Sequence, residues 1–406
     1  MKDLFVLKKY LIACSLLLSS MLYADELGDI LSDNKALLFD YQFESNELES
    51  DKISKSWINP IQLRYSKNYT TQFGGDAINV GTYSVTIDQP IFRSGGIYYA
   101  IKYSDALRHA NESDIMLQKR KMIGDAVSIL FNLGKTKLEQ QKMRLLIKND
   151  TIDIRQKRDS YESGLLDSSF LDQAILKKSQ DEATLLEMEL NLLELKQRFS
   201  LLSDKNPEKL KVPVLKLMSK ESYTEKNLDV RIDRLRAKVS EYNEKITWAK
   251  YLPTVSLQGQ YLNGDINPLF VGPGSTLQEQ YYNYGFSVSM PIDVNALSDI
   301  EASKVEKLRA AVQVLDRKET VQEEYQWIHN SLGVLDKKIA LAQKDEKIYQ
   351  NLFRVTKNLA NAGEKTSLDT AIMHNSLQIR KLDQKIYKID KQIRLLKLYV
   401  RMENVL

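Results

Sequence analysis

Apolar and polar residues change period along this chain, and the changes come in an order that occurs twice. In "YSVTIDQPI", residues 83–91, Tyr83, Val85 and Ile87 alternate with Ser84, Thr86 and Asp88. That is the period-two signature of a strand with one face in an apolar environment. "YGFSVSMPI", residues 284–292, repeats it position by position: Tyr284 matches Tyr83, Phe286 matches Val85, Val288 matches Ile87 and Pro291 matches Pro90. "IQLRYSKNYT" (61–70) and "VSLQGQYL" (255–262) alternate in the same way. Past each of these prolines the period becomes helical, and no further proline occurs for 116 residues after Pro90 or for the 115 residues after Pro291. One glycine, Gly164 or Gly363, splits each tract near its middle, and a Leu-Asp step follows it, Leu171-Asp172 or Leu368-Asp369. Breakers therefore gather at junctions, as they must if the tracts between them are continuous helix.

The match extends upstream. Asn34 precedes Pro60 by 26 residues and Asn227 precedes Pro253 by 26, each opening a helical stretch that leads into a strand. The chain is thus predicted to contain, twice, a unit of helix, strand, loop, strand, long helix, turn and long helix. The first unit spans 25–205, a linker spans 206–226, and the second unit spans 227–406; the strand-connecting loops are expected near 71–81 and 263–283.

From about Ile97 to the turn at Gly164 is some 65 residues, or roughly 100 Å of helix at 1.5 Å per residue. The second long helix of each unit carries a heptad seam. Leu185, Met188, Leu192, Leu195, Phe199 and Leu202 form the first seam; Ile372, Ile379, Leu382, Ile386, Ile389, Ile393, Leu396 and Val400 form the second. Seven-residue spacing means coiled-coil packing against a neighbouring helix, so these stripes are packing residues.

Four strands of about ten residues make a poor isolated sheet in water, because apolar edges and one apolar face stay exposed. A periplasmic or extracellular β subdomain would show the same alternation. About ten residues is also the length that crosses a bilayer when tilted, and in lipid a sheet must close on itself. Four strands enclose nothing useful, so several chains are expected to contribute.

The N-terminus supports export. Lys2, Lys8 and Lys9 precede an apolar run from Tyr10 to Tyr23, and Leu22-Tyr23-Ala24 then meets Asp25-Glu26. This is the layout of a signal peptide over 1–24, cut after Ala24. Leu11-Ile12-Ala13-Cys14 offers a rival lipoprotein site, although the apolar run continues beyond it. Cys14 is the only cysteine, so a mature chain would have no disulfide or thiol chemistry. No other stretch is apolar for 18 residues. With 28% charged residues and a net charge of +4 over 406 residues, charge alone gives no reason to expect nucleic acid.

Nothing points to an enzyme. There is no phosphate-binding Gly-rich loop with Lys-Ser/Thr and no nucleophile-elbow motif. His109, His329 and His374 are scattered without ligand spacing, so neither a metal nor a cofactor is expected.

"NLDVRIDRLRAKVSEYNEKITWAKYLPTVSLQG" (227–259), "QPIFRSGGIYYAIKYSDA" (89–106) and the turn "NAGEKTSLDTA" (361–371), in this order and duplicated, resemble the TolC-like outer-membrane efflux protein family, the outer membrane factors. The resemblance covers essentially the whole mature chain. It implies a mainly α fold with a small membrane β part. Long coiled-coil hairpins of three chains would form an α-barrel reaching into the periplasm, and four strands per chain would enter a shared twelve-stranded β-barrel in outer-membrane lipid. It further implies a passive exit duct of a tripartite efflux or type I secretion system, opened by a periplasmic adaptor (membrane fusion) protein and an inner-membrane pump of the RND, ABC or MFS type.

The same resemblance implies a pore gate at the turns. Asp369 falls on the family's aspartate-ring position, Lys365 falls where some members have an arginine that ties the closed state, and Asp172 is the counterpart in the first unit. Some members carry a second aspartate where this chain has Ile372. Asp369 could equally be a helix N-terminal residue capped by Thr366 or Ser367. The family's strand-to-helix glycines match Gly95 and Gly96 after Pro90; after Pro291 the chain has Asp293-Val294-Asn295-Ala296 instead. A coiled-coil scaffold without a pore would explain the heptads but not the paired strand–Pro–helix units.

Overall fold

The structure is a computed structural model in which residues 29–71, 78–266 and 277–403 are described. The leader at 1–24 and much of both strand-connecting loops lie outside these residues. The described elements are α1 (Asp33–Ser54), β1 (Gln62–Thr70), β2 (Ile78–Phe92), α2 (Gly96–Glu162), α3 (Ser168–Ser200), α4 (Lys220–Glu225), α5 (Leu228–Lys250), β3 (Thr254–Gly264), β4 (Gln280–Ser289), α6 (Ala296–Asn361) and α7 (Ser367–Tyr399). Duplication is visible in their lengths. α1 and α5 have 22 and 23 residues, α2 and α6 have 67 and 66, and α3 and α7 have 33 each. No helix among the described residues is long and apolar enough to cross a membrane.

One compact unit comprises residues 41–114 and 230–317 and contains the whole sheet. The strands follow the order β1-β2-β3-β4, all neighbours antiparallel. Over the middle of the sheet and its helix-proximal end the register sorts the side chains into two classes, whereas toward the strand-connecting loops Leu262 and Tyr281 stand on the polar face and Lys67 and Asn263 on the apolar one. Leu63, Val85, Tyr261 and Tyr282 lie in one row across the sheet, flanked on the same face by Tyr65, Ile87, Leu257, Phe286 and Val288. On the opposite face the row Gln62, Thr86, Gln260 and Asn283 is joined by Ser66, Thr82, Ser84, Asp88, Gln258 and Ser287. Strand alternation alone produces this split, since successive side chains point to opposite sides. Among the described residues nothing covers the apolar face at β4: Tyr284 is 90% exposed and Phe286 75%.

β2 is longer than the sequence pattern indicates, and it continues to Phe92. Pro90 therefore sits inside the strand, fully buried, and not at its end. The register with β3 shifts between Pro90 and Phe92, the irregularity that accommodates a residue without an N–H. A tight turn comes next, at Ser94 (φ 47°) and Gly95 (φ 85°), and α2 starts at Gly96, where a Cβ would lie 3.1 Å from that of Ala249. The second junction turns without glycine: past Pro291, the Asp293 carboxylate accepts the Asn295 N–H at 2.8 Å and the Asp293 carbonyl accepts that of Ala296 at 3.1 Å.

The other unit comprises described residues 29–40, 115–229 and 318–403. Val127, Phe199, Tyr223, Leu228, Val321, Ile328, Leu395 and Leu398 are fully buried in it. α2 approaches the end of α7 so closely that a Cβ on Gly124 would stand 2.2 Å from Val400 Cγ2. Asn227 and Met402 form an antiparallel bridge that ties the start of the second repeat to the chain after α7.

Candidate functional site

The two helical turns, read from the backbone outward, are built alike. Each long helix closes on a glycine in the left-handed region, Gly164 (φ 71°) and Gly363 (φ 80°), which a residue with a Cβ adopts only at a cost. The Leu165 N–H reaches the Ser160 carbonyl at 2.9 Å and the Glu364 N–H reaches that of Leu359 at 2.9 Å, satisfying the same orphan acceptor in both. Three residues after each glycine stands an N-cap. Asp167 accepts the Ser169 N–H at 2.8 Å, and Thr366 accepts the Asp369 N–H at 3.1 Å.

Asp369 completes the second cap. Its Oδ2 accepts the Thr366 N–H at 3.0 Å and the Thr366 hydroxyl at 2.8 Å, forming a reciprocal capping box. Its Oδ1 accepts the Gln156 amide at 3.1 Å from α2. These donors, led by the Thr366 N–H, hold the carboxyl below the usual aspartate range, with Lys365 adding a smaller pull in the same direction. Lys365 itself is exposed on the turn. Asp172 is exposed at the fifth position of α3, two residues beyond the point that Asp369 occupies in α7. Counted from the caps, Phe170 and Asp369 correspond.

Gln156 belongs to a series that the sequence did not bring to notice. On α2, Lys135, Lys142, Asn149 and Gln156 recur every seven residues, and each contacts α7. Lys135 donates to Asp390 at 2.8 Å and Lys142 to Asp383 at 2.7 Å; Asn375 donates to Asn149 at 2.8 Å and Gln156 to Asp369 at 3.1 Å. These four rungs form an antiparallel polar ladder between the two hairpins. Asp383 is the most enclosed member, with its side chain 6% exposed and Arg380 also bonding it at 3.1 Å. Across its other side α2 meets α3, where Lys177 bonds both Asp150 and, at 3.2 Å, Asp181. Burial pushes the Asp150 carboxyl up against the opposing pull of Lys177.

Two further heptad stripes are exposed among the described residues, with only the Arg394 and Lys397 side chains of α7 reaching the Trp327 ring. Trp327, Val334, Leu341, Ile348 and Val355 run seven apart along α6 and are exposed, although the opposite side of the helix buries Val321, Ile328 and Leu332. Leu186, Leu190 and Leu193 are exposed on α3. Among the described residues no three His, Cys, Asp or Glu side chains converge as metal ligands. His109 pairs with Glu112 at 3.2 Å, His329 stacks on Tyr325, and His374 lies 5.3 Å from the Phe353 ring.

No family model matches the chain, and no curated protein matches it in sequence. Solved structures do match. The outer membrane protein VceC of Vibrio cholerae superposes with a TM-score of 0.71 at 14% identity, over 94% of this chain and 96% of that one. The CmeC outer membrane channel of Campylobacter jejuni superposes with a TM-score of 0.72 at 16% identity, over 93% of this chain and 85% of that one. The MtrE outer membrane channel of Neisseria gonorrhoeae, solved in its open state, superposes with a TM-score of 0.63 at 12% identity. The chain has the fold of these outer-membrane channels over 92–94% of its length.

Proposed function

We propose that the chain is one third of an outer-membrane conduit. Three copies pool four strands each into a twelve-stranded barrel, and their helical hairpins form a tunnel in the periplasm. The observation that carries this is the sheet: among the described residues one face is mainly apolar and exposed, the other mainly polar, and β1 and β4 each pair with a strand on one side only. Such a sheet is stable where lipid covers the apolar face and the edges of neighbouring copies, β4 of one against β1 of the next, close the ladder. The uncovered heptad stripes on α3 and α6 support self-association through the helices as well.

As a conduit the chain supplies a path and no energy. It serves as the exit duct of a tripartite efflux or type I secretion system, engaged by a periplasmic adaptor and an inner-membrane pump. Its gate lies where the turns of three copies meet. There Asp369 contributes a ring of negative charge that attracts cations, while Lys365 and the α2–α7 ladder restrain the hairpins. Opening separates the rungs nearest the turn, Gln156–Asp369 and Asn149–Asn375, which are hydrogen bonds involving at most one charge and so cost less to break than the ion pairs beyond them. Membrane fractionation and planar bilayers test this together. A heat-modifiable trimer in the outer membrane, with conductance blocked by added multivalent cations and less blocked in Asp369→Ala, is expected. A soluble periplasmic chain, as a scaffold without a pore would be, contradicts it.

A further inference from the structure

The sheet-bearing unit contains a cavity of about 730 Å³ where strands give way to helices. That is the size of a pocket for a small organic molecule. Thr254 and Ser289, paired across β3 and β4, line it from the polar face of the sheet. Trp57 enters from the segment before β1, Arg93 from the link between β2 and α2, Ile97 from the first turn of α2, and Lys250 from the end of α5.

The wall is fixed by hydrogen bonds. The Gln89 amide donates to the Trp57 carbonyl at 3.1 Å and accepts the Asn59 N–H at 3.0 Å. The Ser94 hydroxyl donates to the Pro253 carbonyl at 2.7 Å, holding the turn that follows Arg93 in a left-handed conformation a serine rarely adopts. The electrostatics are one-sided. The fourteen described lining residues include Arg93 and Lys250 and no carboxylate; Asp299, outside the lining, is 3.5 Å from the Lys250 ammonium and shares its charge. Around these cations the surface is apolar, from Ile97, Ala100 and Met290.

We infer that this cavity binds organic anions with an aromatic or apolar body. Arg93 and Lys250 take the anionic group, and Trp57 packs on the body. That the site lies along a transport path rests on the conduit described above, because the polar face is then the lumen; that it binds such anions does not.

The test is calorimetric titration of 1-naphthalenesulfonate into the full chain in detergent, with 1-naphthylmethyl-trimethylammonium as a cation of similar body. One saturable site per chain for the sulfonate alone is expected, weakened about tenfold by Arg93→Gln and by Lys250→Gln. Loss of Trp57 fluorescence quenching in the same variants, read against Trp57→Phe, gives a second readout, and circular dichroism confirms that each variant is folded. Equal binding of sulfonate and ammonium, undiminished binding by Arg93→Gln, or no binding because a neighbouring copy fills the cavity would each overturn the inference. Planar-bilayer conductance of the same preparation separates the two proposals: binding without conductance removes the conduit and leaves the site, and conductance without binding does the reverse.

Discussion

Asp369 uses one oxygen to cap α7 and offers the other to Gln156, so its charge is a structural device; in the proposed trimer it would also be a member of the ring. The two roles separate by substitution. Asp369→Asn removes the charge and retains an acceptor; Asp369→Ala removes both and should cost about 1 kcal/mol at the helix start. Cation block in bilayers is expected to weaken alike in both variants, whereas thermal stability by circular dichroism should fall further in Asp369→Ala. Because the folded carboxyl titrates below the ordinary aspartate value of 3.8, the stability its charge contributes is complete above that value and is lost as pH falls through the lowered one. The gap in melting temperature between the native chain and Asp369→Asn should therefore narrow from pH 7 to pH 3. A gap undiminished between pH 7 and pH 3 would mean the charge is not its cause. Lys365→Ala is expected to raise basal conductance. Gly124 tests packing: Gly124→Ala places a methyl against Val400 and should destabilise by roughly 1–3 kcal/mol, and Val400→Ala should recover part of that loss in the double variant.

Helices and strands differ in how much of them could be read from the sequence. The strand rows, the junction at Gly95–Gly96 and the glycine turns were legible because each leaves a local mark, in alternation or in a residue that alone tolerates its φ. β2 ran past its expected limits because Asn79, Gly81 and Thr82 look like turn residues until they pair with β1 and β3. The α2–α7 ladder was not legible. Lys135, Lys142, Asn149 and Gln156 resemble a solvated helix face, and their seven-residue spacing gains meaning only opposite Asp390, Asp383, Asn375 and Asp369. Asp172 shows the same limit: its Leu-Asp step imitates that of Asp369, but the cap at Asp167 places it two positions further along the helix. A bis-maleimide link between Asn149→Cys and Asn375→Cys should return the raised conductance of Lys365→Ala to its basal level; unchanged conductance would show that the ladder does not restrain the gate. On α6, Leu341→Lys should abolish self-association in detergent while leaving helicity intact, and retained association would exclude that stripe from the interface.

For the whole molecule, the heptads and long helices describe a coiled coil of any kind, and only the sheet specifies where it belongs. An amphipathic sheet with exposed Tyr284 and Phe286, whose outer strands β1 and β4 pair on one side only among the described residues, is incomplete as a monomer in water. In the proposed conduit, three copies in lipid complete it. The most direct measurement is the stoichiometry of the full chain extracted by detergent from outer membranes, determined by light scattering and by gel mobility with and without heating. Three copies that hold together unheated and separate on boiling are the result expected here. A single chain recovered from the periplasm without detergent would contradict the account at its centre.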